Sequence, residues 1–315
     1  MQFHLNYNPK KFDFTINHSH KVLLIGSCFS ENVGNFLIHH KFNVLSNPNG
    51  ILFNPSSIHN CLNDIVSENL IDESLILKRD DNYFSYLHHT SINANSKTEL
   101  ITKINSENKK AQQFLKESDY LFITFGTAFY YQHLSLNKTV ANCHKQPAAT
   151  FDKKCLSVLE ITESYSRLLK NLKQLNPKQK VIFTVSPVKH LKDGVIENNL
   201  SKSILILAIH ELIKQNTHCY YFPSYELVND DLRDYRFYKE DLAHPNELAI
   251  NYVLEKFSTT CFDEKTITTN SIINKINLAL NHREMNASEP EQLKLQAFIT
   301  KQKEELKKIN PEIDF

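Results

Sequence analysis

Residues 21–30 read Lys21-Val22-Leu23-Leu24-Ile25-Gly26-Ser27-Cys28-Phe29-Ser30, and the fold is decided here. Four consecutive apolar residues end at a glycine. A continuous run of this kind, with no period-2 alternation, suits a strand covered on both faces, as in a parallel sheet. The pattern then switches period: from Ser30 to Lys41, Val33, Phe36 and Leu37 share one side of a helix. Strand, tight glycine turn and helix in this order form the opening of a βαβ unit.

The same alternation recurs along the chain. Tyr120–Phe125, Lys180–Val185 and a weaker Cys219–Phe222 read as further strands, stopped by Gly126, Ser186-Pro187 and Pro223. Helical spacing covers 57–66, 97–116, 158–175 and 199–214, with Leu156, Leu159, Leu168, Leu169 and Leu172 marking the buried side of the third. Residues 83–87 and 129–140 read as β-hairpin insertions. The predicted fold is therefore α/β, a three-layer α/β/α arrangement on a parallel, doubly wound sheet over residues 1–262. Residues 263–315 form a C-terminal helical extension, with helices at 264–281 and 292–308 that pack on the domain or contact a partner. Oligomeric state cannot be read from the sequence.

Composition narrows the function. The chain has 315 residues, 41% hydrophobic, enough for a full core. With 36 basic and 35 acidic residues the formal charge is +1, so no charge imbalance points to nucleic acid or an anionic membrane. Mean hydropathy is −0.40 and no apolar run approaches the ~20 residues of a membrane span. The start, Met-Gln-Phe-His-Leu-Asn, lacks the basic and apolar regions of a signal peptide. The six cysteines are irregularly spaced without a C-x-x-C pair, so they read as reduced thiols in a cytoplasmic protein. Neither a Walker loop nor a G-x-G-x-x-G is present, and no nucleotide or other cofactor is expected. A zinc set of Cys143, His144, Asp241 and His244 can be drawn on paper, but no ligand spacing supports it, and no metal is expected. The adjacent pairs His39-His40 and His88-His89 diverge on a helix or strand and suit one ion poorly.

In open α/β sheets ligands bind beyond the carboxyl ends of the strands. Cys28 would lie there, at a helix N-terminus that lowers a thiol pKa and can hold an oxyanion. The same residues also read as a helix cap beside a small buried cysteine. Asp241-Leu242-Ala243-His244-Pro245 places a carboxylate three residues before a histidine, an arrangement that orients a general base. Asn49-Gly50, Phe53-Asn54-Pro55, Gly126-Thr127-Ala128, Asn142-Cys143-His144 and Ser186-Pro187-Val188-Lys189-His190 belong to the same rim by position, and each also reads as an ordinary turn.

Taken in order and spacing, Leu24–Ser30 together with these later segments resembles the GSCFA domain family over about residues 15–260, with Ser30 where the family name has Ala. That family is grouped with the SGNH (GDSL-like) hydrolases, so the resemblance implies a flavodoxin-like sheet and an esterase, deacetylase or acyltransferase, often acting on acylated sugars. Aligned on Gly26, the SGNH Gly-Asp-Ser motif puts Cys28 at the nucleophile position, and a local shift would give Ser27 instead. Asp241 and His244 match the Asp-x-x-His element. For the oxyanion hole and substrate contacts the resemblance offers Gly50, Asn54, Thr127, Asn142, His144 and His190, with the third motif's Asn absent after Gly126. The implied substrate is an acylated carbohydrate or related small molecule. Two other functions stay open: a non-catalytic module using the cleft to bind an acylated sugar or peptide, and an interaction role for the charged C-terminal helix.

Overall fold

The computed structural model describes residues 5–281 and 289–315. Five parallel strands form the central sheet: β1 (Lys21–Gly26), β2 (Asn43–Ser46), β6 (Tyr120–Phe125), β10 (Lys180–Val185) and β11 (Cys219–Tyr221), in the order β11-β10-β6-β1-β2. Alternate residues of the apolar runs enter two separate cores. Leu23, Ile25, Leu121, Ile123, Phe125, Val181, Phe183 and Val185 pack under α2 (Pro55–Ser67), α3 (Lys97–Glu117), α4 (Val158–Leu175) and α5 (Val195–Gln215). Val22, Leu24, Tyr120, Phe122 and Ile182 pack on the other face under α1 (Cys28–His39) and, beyond the short α6 (Ser224–Glu226), α7 (Glu247–Cys261). Two covered faces explain why these strands lack polar alternation. The chain is thus a mixed α/β protein with a helix-flanked parallel sheet, as its sequence predicts.

Two departures have physical causes. Strand β2 is short, half-exposed and at the sheet edge, so Asn43-Val44-Leu45-Ser46 carries no apolar run to announce it. Leu159 is 64% exposed rather than buried, because the inward stripe of α4 is Ile161, Tyr165, Leu168, Leu169 and Leu172. The insertions are larger than hairpins. They form two three-stranded antiparallel sheets: β3 (Ile76–Arg79), β4 (Asn82–Ser85) and β5 (Asn93–Ala94); and β7 (Phe129–His133), β8 (Lys138–Val140) and β9 (Phe151–Cys155).

Helices α8 (Glu264–Asn281) and α9 (Glu289–Ile309) share a small apolar cluster of their own, built on Ile272, Ile273, Ile276, Leu306 and Ile313. They also meet the main body: Asn277 Nδ2 donates to the His39 carbonyl, 2.9 Å, at the end of α1. Among the described residues no helix is long and apolar enough to cross a membrane.

Candidate functional site

The turn after β1 is fixed by backbone geometry. Gly26 has φ +145°, and a Cβ there would stand 2.3 Å from the Thr124 carbonyl oxygen of the neighbouring strand. Only glycine fits both constraints. Ser27 follows as the N-cap of α1: its buried Oγ accepts from the Phe29 N–H at 3.4 Å, while its own N–H donates to the Thr124 carbonyl. Ser30 is buried as well, its hydroxyl bonded to that of Thr124 at 2.7 Å. Between these two anchored serines, Cys28 is half-exposed as the first residue of the helix.

A cleft of about 110 Å³ opens at this point, walled by Cys28, Phe29, Asn32, Val188, His244 and Val253 among others. The nucleophile candidate and the base candidate thus line one cavity, although no hydrogen bond joins them. His244 is presented by a four-residue turn. Its Nδ1 lies 2.6 Å from Asp241 Oδ2, and Asp241 Oδ1 accepts the N–H groups of Ala243 (3.0 Å) and His244 (2.9 Å). Those three bonds hold the Asp241 carboxyl well below the usual carboxylate range. With an ionised carboxylate on Nδ1, the neutral imidazole carries its proton there and leaves Nε2 as the acceptor. The turn is anchored by Asn246, whose side chain caps α7 by accepting from the Ala249 N–H, and by the Tyr238–Pro245 bridge.

The expected depression of the Cys28 thiol pKa does not occur. Burial, followed by the Glu31 carboxylate, pushes the thiol up; Lys202 and the N–H groups of Cys28 and Phe29 pull it down without overcoming them. Desolvation outweighs the helix terminus, because a half-buried sulfur loses more hydration than one orphaned turn of N–H groups returns. The resting group is therefore a thiol.

Of the other rim residues, most are occupied by the fold. The Gly50 N–H donates to the Asn47 carbonyl at 2.8 Å, and a Cβ at Gly50 would strike the His89 Cβ at 2.4 Å; its N–H closes a turn rather than facing the cleft. Thr127 gives its N–H to the Phe53 carbonyl (3.1 Å), and its hydroxyl is bonded to Ser201 (3.1 Å). Asn54 caps α2 through Ser57 N–H (2.8 Å). Asn142 and His144 sit in the antiparallel insertion: Asn142 bridges Thr90 and the His144 N–H, and buried His144 points Nε2 at the Ser85 carbonyl, 2.8 Å. They stand apart from the cleft, whose walls include neither. His190 is close enough to feel His244 and Lys202; burial, then those charges, lower its pKa to about 3, so it is a neutral ring packed near Gly126 and Phe53.

The paper zinc set comes apart in the same way, since Cys143-His144 lie in the insertion and Asp241-His244 at the cleft. Among the described residues no three His, Cys, Asp or Glu side chains converge as a metal site would require. His88 and His89 do diverge, the first onto Ser85 and Asn49, the second onto Ser91.

The sequence analysis does not single out two residues at this end of the sheet. Asn32 lies one helical turn beyond Cys28 and lines the cleft, and its side chain has no hydrogen-bond partner among the described residues. The i, i+4 spacing from Cys28 is the signal that could have found it. Lys202 is 1% exposed on α5 and donates to the carbonyls of Gly126 (2.5 Å) and Ser186 (2.7 Å), tying the ends of β6 and β10 together beneath the rim. Burial brings its pKa down to about 7. Nothing in Asn-Leu-Ser-Lys-Ser distinguishes it from a solvated lysine.

The GSCFA family profile matches residues 21–257, about three quarters of the sequence. Comparison with curated proteins returns no match. Among solved structures, an acetyl xylan esterase from the rumen bacterium Butyrivibrio proteoclasticus is similar at 12% identity and a TM-score of 0.40, the match covering 82% of this chain and 65% of that enzyme. An α/β hydrolase from the metagenome of Lake Arreo aligns at 10% identity and a TM-score of 0.41, over 79% of this chain and 99% of that one. A family-two carbohydrate esterase from Clostridium thermocellum aligns at 11% identity and a TM-score of 0.37, over 85% of this chain and 66% of that one. The profile match establishes the family: the chain belongs to the GSCFA family.

Proposed function

We propose that this GSCFA-family member is an acyl-ester hydrolase or acyltransferase of SGNH-like type, with Cys28 as nucleophile, His244 as general base and Asp241 as the group that orients it. The observation that supports this reading best is the shared cleft: Cys28 and His244 wall the same cavity, with the imidazole held at Nδ1 by an ionised carboxylate. Cys28 is preferred to Ser27 because Ser27 is 1% exposed and engaged as a helix cap.

The steps balance as follows. His244 Nε2 takes the Cys28 thiol proton as sulfur attacks the ester carbonyl carbon, and the carbonyl π electrons move onto oxygen. The tetrahedral oxyanion collapses, expelling the alcohol oxygen, which receives the proton from the imidazolium. A thioester on Cys28 remains. Water, or an acceptor hydroxyl, then gives its proton to His244 as it attacks the thioester, and collapse returns the acyl product and the free thiol. The Cys28 N–H, in the unbonded first turn of α1, and the Asn32 amide are the donors at hand for the oxyanion. Because the thiol rests protonated, the base is needed in the first step.

The test is turnover of p-nitrophenyl acetate by the pure protein, with His244→Ala and Cys28→Ala beside the wild type. Loss of at least ~10²-fold in both variants is expected. Full activity in Cys28→Ala would remove Cys28 from the mechanism, and a wild type inert toward short acyl esters would favour the reading of the cleft as a binding module.

A further inference from the structure

A second cavity, of about 250 Å³, adjoins the cleft and is walled in part by Lys189, Asn229, Asp230, Arg233, Tyr235 and Tyr238. The two spaces share three pieces of wall, because consecutive residues face one and then the other: Val188 and Lys189, Val228 and Asn229, Tyr238 and Lys239. The cleft holding Cys28 has largely apolar walls, including Phe29, Val188, Val228, Val253 and Leu254, which suit an acyl chain. Its neighbour is polar.

The chemistry of that polar cavity is specific. Among the described residues, the side chains of Asn229, Asp230 and Arg233 make no hydrogen bond or ion pair, so donors and acceptors of both kinds stand ready around one space. Their placement comes from an irregular backbone: a π-helical turn, Leu227–Leu232, ends at Arg233 with φ +40°. Such turns are uncommon and often occur at functional sites. Tyr235 is 63% exposed, with Lys189 Nζ 4.5 Å from its ring centroid, and that ammonium also lies 3.9 Å over Tyr238. Asp234 is already taken by Arg236 at 2.9 Å. Carboxylates and cations alternate around the space, so a fully charged ligand of either sign would meet repulsion. A neutral ring dense in hydroxyls, each both donor and acceptor, would satisfy all three unpartnered side chains. The space is about eight water volumes, enough for one such ring.

We propose that this cavity is a subsite for a single sugar ring, the alcohol portion of the ester whose acyl group enters the Cys28 cleft. The assignment of the ring as the alcohol portion rests on the acyl-ester reading above; the subsite itself does not. Its test is saturation-transfer NMR with five methyl glycosides (glucose, galactose, mannose, xylose and N-acetylglucosamine) at millimolar concentration. At least one is expected to bind the wild type, and Tyr235→Ala or Asp230→Asn should weaken it at least about tenfold, the size of one lost charged hydrogen bond. Thermal unfolding verifies that each variant is folded, and if Asp230→Asn is not, Tyr235→Ala decides alone. No binding by any of the five, or equal binding by folded variants, overturns the subsite. Glycoside binding requires no turnover, so a protein that binds sugars but leaves p-nitrophenyl acetate intact would sink the esterase reading and keep the subsite, and the converse result would do the reverse.

Discussion

His88 offers a sharp test of how the insertion is built. It is 4% exposed, with Nδ1 2.9 Å from Ser85 Oγ and Nε2 3.2 Å from the Asn49 amide nitrogen. Asn49 donates to Nε2, so the ring carries its proton on Nδ1 and is neutral. Protonating Nε2 would set donor against donor in a dry site beside His144. Burial, then the His144 ring, bring the pKa down from 6.5 to about 4. The folded state thus binds this proton more weakly than the unfolded chain, and stability is fully present above pH 6.5 and lost as pH falls toward 4. The drop corresponds to a ceiling of about 3 kcal/mol, of which about 2.5 kcal/mol is gone at pH 4.5. Urea unfolding of the wild type and His88→Gln at pH 7.5 and 4.5 reads this directly. Glutamine does not titrate, so the variant is expected to start less stable at pH 7.5 and to lose about 2.5 kcal/mol less on acidification. Equal losses in the two proteins would refute a buried neutral His88.

Three further outcomes are expected. Iodoacetamide labelling of Cys28, followed by peptide mapping across pH, should reach half its maximal rate above the ordinary thiol value, because burial and Glu31 oppose the thiolate; a midpoint below pH 7 would contradict that. Buried Cys61, Cys219 and Cys261 should be the slowest thiols in the same maps. Gly26→Ala should cost ~3 kcal/mol or more in chemical denaturation, since its Cβ meets backbone at 2.3 Å; a loss below ~1 kcal/mol would show the turn to be pliable. Ser27→Ala should cost about 1 kcal/mol as a lost cap and keep p-nitrophenyl acetate turnover within about threefold, whereas abolished turnover with an intact fold would move the nucleophile to Ser27.

The parts of the protein legible in its sequence are those set by neighbours in the chain. Strands β1, β6 and β10 announce themselves because both faces are buried, and Gly26-Ser27-Cys28 and Asp241-x-x-His244 are short enough to read whole. Strand β2 is hidden because an edge strand needs few apolar residues. Leu159 misleads because Val158–Leu175 offers more leucines than its buried stripe can hold. Gly50 and Thr127 follow β2 and β6 in the chain, yet their N–H groups are claimed by Asn47 and Phe53, partners no spacing rule reveals. Lys202 is the opposite case: a residue type that usually reads as surface is drawn inside by two carbonyls, Gly126 and Ser186, that only the assembled sheet brings together.

The Asp241–His244 pair closes within four residues, whereas Cys28 reaches the same cleft from the other end of the domain. In folding terms the two relations have very different contact orders. The carboxylate and imidazole can find each other as soon as their turn forms, before any core exists. Cys28 joins them only once the parallel sheet is assembled and α7 has docked beside α1. A partly folded chain would therefore hold the Asp241–His244 pair without Cys28 beside it. On the proposed acyl-ester reading, recovery of ester turnover during refolding should lag the return of helical signal and coincide with the last long-range packing step.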